Sequence, residues 1–295
     1  VATFRKASSI ASREFSSRLM SNENAWSIVS IPTVGWAKKV FPNVSEDEAV
    51  EKLWNAIFKI VRVDSQDPVK AWEEHKNTLK KNMDFLNSKR FKSLHYTNSL
   101  GTDLIIQLPE KHLWAGGAEF TQDGTEFIAN MPTEEIFSMP KKTGVNGKVV
   151  SSMPLNYGGN LINNFSLTFK DGKVVDFSAE EGYETLKNLL DTDEGAKYLG
   201  EVALVPYNSP ISNSNIIFFN TLYDENASCH LAFGKAYSLC IKDGEKMSEE
   251  ELLKEGANDS LTHVDFMIGT KDLQITGTTY DNEKFDIFVN GNWAF

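Results

Sequence analysis

Cysteine is nearly absent from this chain. Its 295 residues contain two, Cys229 and Cys240, in no C-x-x-C pair. A disulfide framework is excluded, a cysteine-built structural zinc site is disfavoured, and a reducing, cytoplasmic setting is favoured. Basic residues are also short: 30 against 41 acids leave a net charge of −11. That field repels a phosphate backbone, so nucleic acid is not an expected partner. The densest basic run, residues 75–92, falls on a predicted helix and reads as a solvated face. There is no run of 18 apolar residues, which argues against a membrane-spanning helix and a membrane partner. The opening VATFRKASSIASREFSSRL lacks the apolar centre of a secretory signal. It begins at Val1 rather than Met and reads as a chain entered partway. G-x-S-x-G, G-x-x-x-x-G-K-[ST] and H-E-x-x-H are all missing.

What is present divides into a helical first third and a strand-rich remainder. Helices are predicted from about Ser9, over VSEDEAVEKLWNAIFKIVRV with Ser45 as N-cap and Glu48 completing a capping box, and from Asp67–Pro68. WSIVSIP (26–32) reads as a short strand. Beyond Lys92 the apolar period becomes two. Strands are expected at 93–98, 102–109, 125–132, 200–206, 215–220, 263–269, 273–280 and 283–295. Asp171-Gly172 marks a hairpin within 166–179. A further helix is expected over 178–192, capped by Ser178 with Glu181 at the capping-box position. The pattern predicts one α+β domain over residues 1–295: a helical first third, then a mostly antiparallel sheet or partial barrel.

The chemistry must come from acids and histidines beside apolar strands. Glu134 and Glu135 sit between prolines and alone read as a surface loop, because glutamate is rarely buried. Glu201 opens an apolar strand and alone reads as a rim residue. Asp224, Glu225, His230 and Tyr237 cluster in DENASCHLAFGKAY, where His230 alone suits a satisfied core position. Cys229 adjoins His230, but neighbours on a strand face opposite ways, so they form no catalytic pair. His75, His95 and His112 lie in polar contexts and read as surface or rim residues. His263 and Asp265, two apart in LTHVDFMIGT, share one strand face while Val264 and Phe266 take the other. Carboxylates mixed with imidazoles suit two bridged divalent ions, Zn, Co or Mn ahead of Ca. A two-metal phosphoesterase would need nearby basic residues, of which Lys235 alone is close to the motifs. A non-catalytic β-rich binding module would need no metal at all.

Four segments, ANMPTEEIF, GEVALVP, DENASCHLAFGKAY and THVDFMIG, occur in the order and at the separations of the M29 family of metallo-aminopeptidases. IPTVGWAKKVFP, EAVEKLWNAIF and the closing FVNGNWAF also resemble it, so the likeness spans the chain. The resemblance implies metal ligands at Glu135, Glu201, His230, His263 and Asp265. It implies a further metal-site carboxylate at Glu225 and a tyrosine beside the metals at Tyr237. It favours Glu135 over Glu134. Two divalent ions (Zn, Co, Mn or Mg) would activate a water, with Glu201 or Glu225 carrying its proton and Tyr237 assisting the oxyanion. The implied substrates are peptides with a free N-terminus and the implied assembly is a homodimer. An additional domain is expected upstream of Val1.

Overall fold

A computed structural model describes residues 23–295 together with Ala11, Phe15 and Arg18. Most of the helix expected from Ser9 lies outside the described residues; Ala11, Phe15 and Arg18 are helical. Among those described, the helices are α1 (Val34–Val40), α2 (Glu46–Ile60), α3 (Pro68–Lys89), α4 (Tyr183–Leu190), α5 (Pro210–Ser214), α6 (Thr221–Glu225) and α7 (Glu249–Glu255). The strands are β1 (Phe91–Thr97), β2 (Asp103–Gln107), β3 (Glu119–Phe120), β4 (Glu126–Phe127), β5 (Ile136–Ser138), β6 (Val145–Val150), β7 (Leu155–Tyr157) and β8 (Asn160–Lys170). After them come β9 (Lys173–Glu181), β10 (Leu199–Leu204), β11 (His230–Gly234), β12 (His263–Met267), β13 (Gln274–Thr279), β14 (Lys284–Val289) and β15 (Asn292–Trp293). The class is α+β, with antiparallel strand pairing throughout.

The strands form three sheets, the smallest being the pair β3-β4. Nine belong to a large sheet in the order β15-β14-β13-β1-β2-β6-β8-β7, with β9 beside β8. A separate four-stranded sheet runs β12-β11-β10-β5. One face of this smaller sheet sends Val202, Leu204, Leu231, Phe233 and Phe266 into the main core with Leu94, Phe165 and Ile275. Burying several such side chains stabilises the sheet by about 1.5–3 kcal/mol each. Helix α2 buries Ala49, Leu53, Ile57 and Ile60, a helical spacing, into a second core with Phe218 and Tyr223.

The helix starts follow their caps. Ser45 accepts from the Glu48 amide. The Glu48 carboxylate does not complete the box but pairs with Lys52 at 3.3 Å, one turn on. Asp67 caps α3 ahead of Pro68. The expected hairpin forms, with Asp171 and Gly172 both at positive φ, the primed turn that matches strand twist.

Four expectations are corrected. Ser178 is not a helix cap. Residues 178–181 continue β9, paired with β8 at Ser166↔Ser178 and Asn163↔Glu181, and α4 starts only after Gly182. Gly182 has φ +76°, and a Cβ there would stand 2.3 Å from the Leu161 carbonyl oxygen, so ladder and glycine together fix the boundary. Residues 215–220 form no strand. Phe219 takes φ +53°, and the Asp224 carboxylate accepts from the Phe218 and Asn220 amides, which bends the segment around it. WSIVSIP is reduced to a bridge between Ile28 and Asn130 because residue 130 lies in an irregular loop. Of 125–132, only Glu126–Phe127 is strand, paired with β3.

His95 is exposed and pairs with Asp103, as a rim residue does. His75 and His112 are not surface residues. His112 is 7% exposed and directs Nδ1 at the Pro109 carbonyl, with its ring edge-on to Trp114. Burial pushes its pKa below the ordinary histidine value. The unfolded chain therefore takes up a proton more readily than the folded one below about pH 6.5. Stability that His112 lends above that pH is lost as pH falls toward its folded value. Denaturant unfolding at pH 7.5 and 5.5 should show a smaller loss on acidification for His112→Gln than for the parent; equal losses would refute this.

Candidate metal centre

The second face of the small sheet carries the polar residues. In an antiparallel pair, opposed residues share a face. Glu201 opposes Ala232, which opposes Asp265. Ala203 opposes His230 on one side and Phe137 on the other, and Gly234 opposes His263. Glu201, Asp265, His230 and His263 therefore emerge together, with Ala203, Ala232 and Gly234 between them as a small-residue floor. Glu135, two residues before Phe137, joins from the approach to β5. A bulge at Gly200 sets Glu201 in phase. A Cβ on Gly200 would meet the Gly234 and Lys235 carbonyl oxygens at 2.4 and 2.3 Å, so no other residue fits there.

These groups line a cavity of about 220 Å³ with Glu225, Tyr237, Trp26, Asn130 and Leu239 among its walls. Glu135, Glu201 and His230 offer one set of ligand atoms within 4.8 Å of one another; Glu201, His263 and Asp265 offer a second. Glu201 belongs to both. His230 Nε2 lies 3.1 Å from Glu135 and 3.6 Å from Glu201. His263 Nε2 lies 3.3 Å from Glu201 and 3.4 Å from Asp265. Both rings point Nδ1 at a backbone carbonyl: His230 at Ser228, 3.0 Å, and His263 at Lys235, 2.7 Å. Nδ1 thereby keeps its proton, and Nε2 is the nitrogen turned to the carboxylate cluster: it donates to the carboxylates while the ring is protonated and is the nitrogen a cation would take in its place.

The electrostatics of the cluster are unbalanced. Burial would raise the Glu201 carboxyl, but hydrogen bonds from His230 and His263 outweigh it and hold it at about 2. Burial would lower His263, but the Asp265 and Glu201 carboxylates push it up to about 11; His230 is raised likewise by Glu135 and Glu201. Glu225 is raised well above the carboxylate range, first by burial and then by the charges of Asp265 and Glu135. Four carboxyl groups face two imidazoles, so even with both rings protonated not every carboxyl keeps its charge, and Glu135, like Glu225, is raised, first by burial. Buried charge of one sign is strongly unfavourable without a counter-ion. The donor set fits divalent cations: hard carboxylate oxygens with imidazole nitrogens, and no thiolate.

All seven residues expected at the site line this cavity, although Glu225 and Tyr237 stand outside both donor sets. The Tyr237 ring packs against His263, centroids 4.7 Å apart. Glu134 and Glu135 are both buried, which overturns the surface-loop reading of that pair, and Glu201 is buried rather than on the rim. Glu135 turns toward His230, whereas Glu134 turns away and meets Arg62 at 2.7 and 3.0 Å. Arg62 also donates to His75 Nδ1, and His75 Nε2 faces the Thr133 carbonyl. The Glu134 amide donates to Asn226 Oδ1. This inner clamp was invisible in the sequence, because Arg62 and His75 lie on segments far from Glu134 and carry no motif. Nor did any local pattern announce Trp26, Asn130 or Leu239 as cavity walls.

The family described as thermophilic metalloprotease (M29) matches residues 1–293. The chain belongs to the M29 family. It is 55% identical to Aminopeptidase 2 of Geobacillus stearothermophilus over 295 residues, covering all of this chain and 71% of that protein. It is 54% identical to Aminopeptidase AmpS of Bacillus subtilis (strain 168), covering all of this chain and 72% of the relative. The solved structure of wild-type AmpT from Thermus thermophilus superposes with a TM-score of 0.92 at 41% identity, over 99% of this chain and 70% of that one. The ordered motifs thus led to the right family.

Removing one partner of a buried ion pair leaves the other uncompensated, at about 3–5 kcal/mol. Arg62→Met should lower unfolding stability by about that amount, measured by denaturant titration. A loss under about 1 kcal/mol would mean that the pair behaves as a surface salt bridge.

Proposed function

We propose that this chain is the catalytic portion of a metal-dependent aminopeptidase, residues 1–295, which removes the N-terminal residue from peptides. The observation that carries this reading is the pair of donor sets sharing the Glu201 carboxylate. Family membership supplies the reaction class: the relatives it matches are named aminopeptidases. In this reading Glu135, Glu201 and His230 would hold one divalent ion and Glu201, His263 and Asp265 a second, each Zn, Co, Mn or Mg. Such ions polarise a carbonyl and lower the pKa of water toward neutrality.

The chain's own groups supply the rest. Glu201 is tied to both imidazoles and stays ionised, which suits it to hold charge rather than carry protons. Glu225 lines the same cavity and is made protonatable by burial. It is the better proton carrier, taking a proton from the attacking water and returning it to the departing amine. Tyr237 keeps its hydroxyl protonated, because burial and the surrounding carboxylates raise its pKa. It can therefore donate to the oxyanion of the tetrahedral intermediate. A carboxylate on the cavity wall would hold the α-ammonium of a free N-terminus, which restricts cleavage to the first residue.

The phosphoesterase alternative is weak on electrostatic grounds. No lysine or arginine is among the residues lining the cavity, and Lys235 pairs outward with Asp259 at 3.4 Å. Two buried free cysteines fit a cytoplasmic protein, and no helix among the described residues is long and apolar enough to cross a membrane. A homodimer is carried over from the family resemblance.

The test is hydrolysis of leucine p-nitroanilide beside its N-acetylated counterpart. Cleavage of the free amine only, lost with chelator and restored by Co²⁺ or Zn²⁺, is the expected result. Metal-dependent cleavage of the blocked substrate would overturn the exopeptidase reading. Glu225→Gln should keep bound metal yet lower kcat by about 10²–10⁴-fold. His263→Ala or Asp265→Ala should lose metal and activity together, by elemental analysis and assay, and turnover retained in either would sink the ligand assignment.

A further inference from the structure

Asn226 directly follows Glu225 and is wholly buried. It is not among the residues lining the carboxylate–imidazole cavity. Its side chain makes two bonds in different directions. Oδ1 accepts from the Glu134 amide at 2.7 Å, and Nδ2 donates to the Leu222 carbonyl at 3.0 Å. Leu222 lies in α6, the helix that ends at Glu225. One side-chain amide therefore ties the loop carrying Glu135 to the helix carrying Glu225, across 92 residues of sequence.

Both segments need such a tie. Helix α6 has five residues, and its N-cap residue, Asn220, gives it no side-chain bond. A helix of that length does not hold its shape without outside contacts. Residues 133–135 belong to neither helix nor strand, and β5 begins only at Ile136. Arg62 and His75 hold the Glu134 side chain, and Asn226 holds the backbone of the same residue.

We infer that Asn226 is a positioning residue: it fixes where Glu135 and Glu225 stand relative to each other, and so aligns a ligand carboxylate with the proton carrier. The part given to Glu225 rests on the aminopeptidase reading; the placing of Glu135 does not need it. A primary amide offers an acceptor and a donor on one short, uncharged group. Ionised aspartate keeps the acceptor and lacks the donor, and alanine lacks both. Beside a cluster of carboxyl groups, an uncharged tether adds no further buried charge. Groups one step behind a metal ligand typically govern affinity by about 10–100-fold. A reacting group misplaced by about 1 Å costs about 100-fold in rate.

The experiment titrates the metal-free protein with Co²⁺ by calorimetry and measures leucine p-nitroanilide turnover at saturating Co²⁺. It uses the parent, Asn226→Ala, Asn226→Asp and Asn87→Ala. Asn87 is the control, because its side chain also bonds one backbone amide and one carbonyl, both of Trp114, and it is not on the cavity wall. Asn226→Ala should weaken Co²⁺ binding at one site by about 10–100-fold. Its kcat should fall by about 100-fold with KM little changed. Asn226→Asp keeps the bond to Glu134, so it should retain the parent Co²⁺ affinity and still lose kcat. It matches the parent in size and carries the test if Asn226→Ala does not fold. Asn87→Ala should keep both affinity and kcat. Parent affinity and kcat in Asn226→Ala, or an equal loss in Asn87→Ala, would overturn the assignment. Asn226→Asp binding Co²⁺ more weakly than the parent, or turning over at the parent rate, would do the same. If the Co²⁺-loaded parent cleaves nothing, the aminopeptidase reading fails, and calorimetry alone decides whether Asn226 places Glu135.

Discussion

Four carboxyl groups and two imidazoles gathered over one sheet face set the terms for this structure. A chain that buries such a cluster must supply counter-charge, fix every orientation and keep the surrounding backbone satisfied. The histidines meet the second demand through Nδ1, each tied to a backbone carbonyl, so that both Nε2 atoms converge on the carboxylates. The floor of Ala203, Ala232 and Gly234 leaves volume above the sheet, and the bulge at Gly200 sets the phase of Glu201. A side chain at any of these floor positions much larger than methyl would occupy the space between the ligand atoms.

The reverse face of the same strands is apolar and joins the main core, so rigidity reaches the polar cluster through alternate residues. Val202 and Leu204 pack inward while Glu201 and Ala203 face the cavity, and Phe233 and Phe266 stack behind Ala232 and Asp265. The helical first third enters this scheme through Arg62 and His75. They close on Glu134, the neighbour of Glu135, and so anchor the one site carboxylate that comes from a loop rather than a strand.

Much of the architecture was legible because it rests on local rules. Ser45, Asp67 and Pro68 start helices by satisfying or lacking the first amides, and Asp171-Gly172 turns a hairpin because its φ values demand those residues. Alternation in HVDFM put His263 and Asp265 on one face. Local rules failed where a distant partner took over. Ser178 had the chemistry of a cap, but β8 offered it a ladder. NIIFFN had the composition of a strand, but Asp224 took two of its amides. Glu134, Glu201, His75 and His112 had the polarity of surface residues, but buried partners were waiting for each.

By itself, the sequence determined the α+β class, most of the strands, the alternation that pairs His263 with Asp265, and, through four ordered motifs, the family. Those features depend on spacing along the chain and on residue type. Only the tertiary structure decided that Glu201 belongs to both donor sets and that Glu135 and Glu134 part to opposite sides. Each of these depends on which strands become neighbours and in what register. Register is a property of pairing between segments tens of residues apart, and no single segment carries it.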